Sequence, residues 1–213
     1  MSTTLYLIRH GQSLGNLRHA FLGHTDLELT ELGHSQAKRT AAFLADKKPD
    51  VIYASDLLRA YQTAEATATL FKMPIQKEPM LREIYAGQWE NRIFEELAES
   101  FPESFGVWRN DVGNAHPDGG ESVLELQSRV VKAITRLAEE NDGRTVFLFT
   151  HATPIRTFSA YVMGKGKDEI KELPWAPNAS VTKCTYDGGK FIMIEYGRDD
   201  FMGDVATQLP PTV

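Results

Sequence analysis

Along most of the chain, short unbroken apolar blocks alternate with stretches of helical spacing. Leu5, Tyr6, Leu7 and Ile8 form the first block, without helical period and bounded by charge and then Gly11. Such a run predicts a strand buried on both faces. After a polar loop, "LTELGHSQAKRTAAFLADKK" sets Leu32, Ala37, Ala41 and Leu44 near helical spacing. "DVIYAS" (50–55) predicts a second buried strand, and "DLLRAYQTAEATATLF" (56–71) a helix with Ser55 or Asp56 as its N-cap. "MPIQKEP" reads as a short extended link. From Glu83 to about Gly120 the pattern turns irregular and aromatic, with Trp89, Phe94, Phe101, Phe105 and Trp108, which predicts a helical excursion over a sheet. "ESVLELQSRVVKAITRLAEE" (121–140) places Leu126, Val130, Ile134 and Leu137 on one face of a long amphipathic helix. "RTVFLFTH" (144–151) is a third buried strand, and Pro154 suits the first turn of a helix behind it. Two alternating strands around Asp187-Gly188-Gly189 predict a closing hairpin. Strand–helix alternation with such an end predicts an α/β fold with a mostly parallel sheet and an antiparallel edge.

No internal repeat or low-complexity linker divides the chain, so 1–213 is expected to be a single domain, with a cap-like insertion at about 85–120. The net charge of −6 argues against nucleic acid and anionic membrane as partners, and requires any anion site to concentrate arginines locally. No apolar run approaches the roughly 18 residues of a membrane span, and the first residues lack a signal-peptide pattern. The single Cys184 excludes an intrachain disulfide and sits in an alternating strand, where packing is its expected role. The expectation is a soluble, cytoplasmic protein. The exposed edge of the last hairpin is a place where a second copy could pair, giving a homodimer.

The three buried strands end in polar residues: Arg9-His10, Ser55 with Arg59 just beyond it, and His151. In open α/β sheets, ligands bind outside the carboxyl ends of strands. Two arginines and two histidines converging there would suit a phosphoryl group. Guanidinium forks grip phosphate oxygens, one neutral imidazole attacks phosphorus, and a second, protonated one stabilises the developing charge. Glu83, if shielded from water, is the candidate to protonate a leaving oxygen and later activate water. Asn16 could donate to phosphate, and Gly11 and Gly23 permit close backbone approach, Gly11 also leaving room for an ester. Each residue also has an ordinary reading. Arg59 alone would be a solvated helix residue, Arg156 a salt-bridge partner, and Trp89 and Trp108 cap packing. His19, His24, His34 and His116 are assigned to surface or satisfied positions. Only convergence at one sheet end favours chemistry. His10, His151 and Glu83 could ligate zinc, but no i,i+4 histidine pair or cysteine cluster supports it and the arginines would repel a cation. Neither a metal nor a cofactor is expected.

At this point the residues are similar to a known family. "LYLIRHGQSLGN" resembles the opening of the histidine phosphatase (phosphoglycerate mutase-like) superfamily. The likeness continues in order through "FLGHTDLELTELGHSQA", "ASDLLRAYQTA", "LREIYAGQWE", "HPDGGES" and "THATPIR". The resemblance implies a three-layer α/β/α sandwich with a small helical cap. It implies that His10 becomes a phosphohistidine, that Arg9, Arg59 and His151 complete the phosphate pocket, and that Glu83 is the proton donor. Asn16, Gln12 and Gly23 would contact substrate or line the same loop, with Ala152 beside His151. Ala152 stands where the family usually has glycine, and Leu22 where mutases usually have a hydroxyl residue. The cap segment offers Arg92 and Arg109 but no paired arginines. These points imply a metal-independent phosphomonoesterase acting on a small phosphorylated metabolite. The alternatives are a 2,3-bisphosphoglycerate-dependent phosphoglycerate mutase and a non-catalytic binding protein with the same fold.

Overall fold

The computed structural model describes residues 1–207, so the last part of the expected 1–213 domain lies outside the described residues. In chain order the strands are β1 (Thr3–Arg9), β2 (Ala20–Phe21), β3 (Val51–Ala54), β4 (Ile75–Lys77), β5 (Arg92–Ile93), β6 (Thr145–Thr150), β7 (Val181–Asp187) and β8 (Lys190–Arg198). The α-helices are α1 (Leu14–Leu17), α2 (Glu31–Phe43), α3 (Leu58–Phe71), α4 (Phe94–Ser100), α5 (Pro102–Asn110), α6 (Val123–Glu140) and α7 (Ala152–Val162). The main sheet has the order β4-β3-β6-β1-β7-β8. Its first four strands are parallel, and β7 and β8 run antiparallel at one side, as the pattern predicts.

Both faces of the central strands are covered, which is why their sequence shows apolar blocks without alternation. Leu5 and Leu7 of β1, with Val146 and Leu148 of β6, face a core filled by α6, α7 and the cap. Tyr6 and Ile8, with Phe147 and Phe149, face the other way, into a core that includes Ala64 and Ala68 of α3. The result is the three-layer α/β/α arrangement. Strand pairing brings three carboxyl ends to one line: Arg9 pairs with Thr150 and Ala54 with Phe149. His10, Ser55 and His151 follow directly on these ends.

Two local expectations need correction. The "MPIQKEP" link contains β4, an edge strand parallel to β3, too short to show a period of its own. The N-cap of α3 is Leu57, not Ser55 or Asp56. Asp56 is held in a bidentate pair by Arg82, and Asp26 instead accepts from the Leu58 N–H. The expected excursion is α4 and α5 with short 3-10 turns, and β5 pairs with β2 to tie it to the loop after β1. Leu97, Phe105 and Trp108 from this cap join the same core as β1 and α6.

Trp89 anchors that junction. It is fully buried, with Phe21 and Phe105 edge-on at 5.4 and 5.5 Å, and its indole N–H donates to Asp118. Trp89→Ala should cost about 3–5 kcal/mol in urea unfolding; a loss below about 1 kcal/mol would mean the cap packs independently of this side chain.

Candidate active site

The strand ends open into a cleft enclosing about 520 Å³ of space that is open to solvent. Arg9, His10, Asn16, Gly23, Arg59, Glu83 and Ala152 line it. His151 is fully buried beside it, its ring 5.2 Å from that of His10. These residues come together as the sequence predicts; Gln12 does not. The Gln12 side-chain carbonyl accepts from the Thr30 hydroxyl at the start of α2, and its backbone carbonyl accepts from Thr30 N–H, so it braces a helix cap instead of lining the cleft.

His10 is fixed from three sides. Its N–H donates to Thr150 O on β6, and its carbonyl accepts from Ala179 N–H and from the Asn178 side-chain amide. Its ring Nδ1 donates to the Gly11 carbonyl at 2.7 Å. A neutral ring that donates through Nδ1 carries its lone pair on Nε2. Gly11 does not serve chiefly to leave room for an ester. A Cβ there would lie 2.6 Å from the Gly33 carbonyl, so the glycine lets the loop pack against α2. Gly23 is needed for its backbone, φ +50°, and for contact with Glu90.

Arg9 and Arg59 are 3% and 1% exposed. Arg9 donates to Ala176 O, and Arg59 donates to Thr25 O and Gly23 O. Among the described residues, the Nε atoms of both, and Nδ1 of His151, are buried without a hydrogen-bond partner. Burial brings each guanidinium down to about 10, with Glu83 opposing the fall, so both stay cationic at neutral pH. Burial, followed by the charge of the arginines, holds His10 and His151 well below the usual histidine value. The expectation of a protonated second histidine is therefore corrected for the ligand-free site: both rings are neutral. The Ser55 hydroxyl, which accepts from Leu57 N–H, lies 2.8 Å from His151 Nε2 and can donate to it. That leaves the His151 proton on Nδ1.

Glu83 accepts from Ile84 N–H and from Thr153 N–H at the start of α7. Its carbonyl accepts from the His24 ring and from Arg129 on α6, so His24 is a bracing residue and not a free surface histidine. Asn16 uses its side-chain oxygen to accept from Ser13 and from Asn178, leaving its NH₂ as the free end. Glu90 orders the loop that holds Arg59: its carboxylate accepts from the N–H groups of His24, Thr25 and Ala86 and from the Thr25 hydroxyl. Sequence reasoning misses Glu90, Asn178, Arg129 and the role of Ser55. Only Ser55 lies on a strand end, the one signal that could have found it. Among the described residues Arg156 has no carboxylate partner: it donates to Ile170 O and Lys171 O and lies 4.2 Å from the Trp175 ring, in place of the expected salt bridge. Among the described residues, no group of three His, Cys, Asp or Glu side chains is placed to hold a metal ion.

The histidine phosphatase superfamily (branch 1) matches residues 5–199. The chain belongs to this family. It is 32% identical over 160 residues to phosphoserine phosphatase 1 of Hydrogenobacter thermophilus, covering 75% of this chain and 76% of that protein. It is 30% identical over 208 residues to glucosyl-3-phosphoglycerate phosphatase of Mycolicibacterium vanbaalenii, covering 92% of each. The solved structure of Bacillus stearothermophilus YhfR superposes with a TM-score of 0.90 at 30% identity, over 94% of this chain and 99% of that one. Among the described residues of this family member, no helix is long and apolar enough to cross a membrane.

In the ligand-free protein, neither His10 nor His151 should show an NMR titration midpoint at or above pH 6.5. A midpoint there would overturn the electrostatic account. Both rings bind protons more readily in the unfolded chain, so the stability linked to them is present above pH 6.5 and is lost as pH falls below it. Glu90→Ala should weaken calorimetric binding of inorganic phosphate by about 10-fold, because Arg59 loses its fixed carbonyl cradle; unchanged affinity would show that the loop holds without the carboxylate.

Proposed function

We propose that this protein is a metal-independent phosphomonoesterase acting through a phosphohistidine on His10. The observation that carries the reading is the set of donors the fold leaves unused beside a neutral imidazole: Arg9 Nε, Arg59 Nε and His151 Nδ1. A phosphate dianion supplies the acceptors that these buried groups lack.

His10 Nε2 attacks phosphorus while Arg9, Arg59, His151 and the Asn16 amide hold the non-bridging oxygens. The bond from phosphorus to the ester oxygen breaks, and Glu83 gives that oxygen a proton, releasing the alcohol. Water then attacks the phosphohistidine, Glu83 takes its proton, and the phosphorus–nitrogen bond breaks to release phosphate. Positioning and charge neutralisation by the arginines supply the acceleration that a metal provides elsewhere. As the dianion arrives, its charge draws protonation onto His151, so that the second imidazole becomes cationic in the complex. The substrate is a small phosphorylated metabolite. The relatives named above are phosphatases, and neither Arg92 nor Arg109 lines the cleft, which favours hydrolysis over the mutase reaction.

The test is phosphate release from a panel of monoesters with chelator present, alongside 3-phosphoglycerate with and without 2,3-bisphosphoglycerate. Release that is insensitive to chelator is expected, and isomerisation without net release would establish a mutase instead. His10→Ala should lower turnover by about 10⁴-fold or more; substantial residual activity would remove His10 as the nucleophile.

A further inference from the structure

Which alcohol the cleft accepts is written in the rest of its lining. Beyond the residues already given roles, the wall is made mainly by Ala20, Phe21, Leu22, Phe94, Trp108 and Trp175. The charged groups that line the cleft are Arg9, Arg59 and Glu83, and phosphoryl transfer uses all three. The cations of the surrounding segments are engaged elsewhere. Arg92 lies over the Phe101 ring and Arg18 donates to Asn91. Arg109 and Arg156 line a separate hollow that shares Trp108 and Trp175 with the cleft, and neither guanidinium lines the cleft itself.

The two indoles are rigidly set. Their rings stack at 5.6 Å with 24° between planes, Trp108 meets Phe21 edge-on at 4.7 Å, and Arg156 lies against Trp175. Trp175 and Phe94 keep part of their surface exposed. A flat apolar group entering here would add to an existing aromatic ladder without ordering new side chains. A carboxylate entering here would lose its water, find no unoccupied cation, and approach Glu83.

We propose that the leaving-group end of the cleft takes an uncharged alcohol with an aromatic or similarly flat apolar body, and rejects phosphate esters that carry a carboxylate. This rests on the phosphomonoesterase reading and narrows its substrate class. Phosphoserine and 3-phosphoglycerate, both carboxylates, are then poor substrates.

The experiment compares kcat/KM for benzyl phosphate and 4-carboxybenzyl phosphate, whose leaving alcohols are both benzylic and differ by one carboxylate, with ethyl phosphate as the small reference. Benzyl phosphate should exceed its carboxylated partner by about 10- to 100-fold. Phe94→Lys, which brings a cation to the half-buried cleft wall, should shrink that ratio, and Trp175→Leu should shrink the preference for benzyl over ethyl phosphate. Phosphate release with the carboxylated ester equal or better would overturn this inference and leave the phosphomonoesterase reading standing. A ratio unmoved in both variants would likewise remove these side chains as its cause. Release from none of the esters would overturn both.

Discussion

Two guanidinium groups buried in one cleft, those of Arg9 and Arg59, set the terms for everything else in it. Glu83 is the carboxylate whose charge acts most strongly on both Arg9 and Arg59 among the described residues. Such a pair is tolerable only if other groups in the site avoid adding positive charge and supply oxygen atoms instead. The protein does both. Backbone carbonyls of Gly23, Thr25 and Ala176 cradle the guanidiniums, and the two imidazoles remain uncharged beside them. A neutral imidazole beside two cations that share the carboxylate of Glu83 suits an incoming phosphate dianion. The same electrostatics that make the empty site costly make the occupied one favourable.

That constraint also explains how far the supporting cast is spread. Holding carbonyls in fixed positions around Arg59 takes Glu90, whose carboxylate gathers four donors from two loops. Holding the carbonyl of His10 takes Asn178 and Ala179, and Ala179 sits in the left-handed region at φ 57° to do so. Strain in a non-glycine backbone that bonds to His10 marks a segment shaped by its contacts more than by local preference.

The central strands and the residues at their tips were legible in the sequence because apolar blocks buried on both faces have sharp ends, and chemistry collects at those ends. Arg9, His10, Arg59, Glu83 and His151 were all reached this way or through the family likeness. The residues that order them were not, because their partners are backbone atoms brought close by folding. Glu90 in "GQWEN" has no sequence spacing that announces Thr25 as its neighbour, and Asn178 has none that announces His10. Arg156 misled for a related reason: an arginine in a helix suggests a carboxylate, whereas carbonyls and an indole satisfy this one. The N-cap of α3 failed because Ser55 and Asp56 are both engaged elsewhere, by His151 and Arg82.

The position of β1 in the sheet has a kinetic consequence. The neighbours of β1 are β6 and β7, more than a hundred residues later in the chain. Both contacts on the His10 carbonyl come from the segment entering β7. The pairings that complete the site are thus among the longest loop closures in the fold, of the kind that form slowly. During synthesis His10 emerges well before the segment that fixes it and cannot be set in place until Asn178 and Ala179 follow. The setting of His10 therefore reports on the pairing of β1 with β6 and β7.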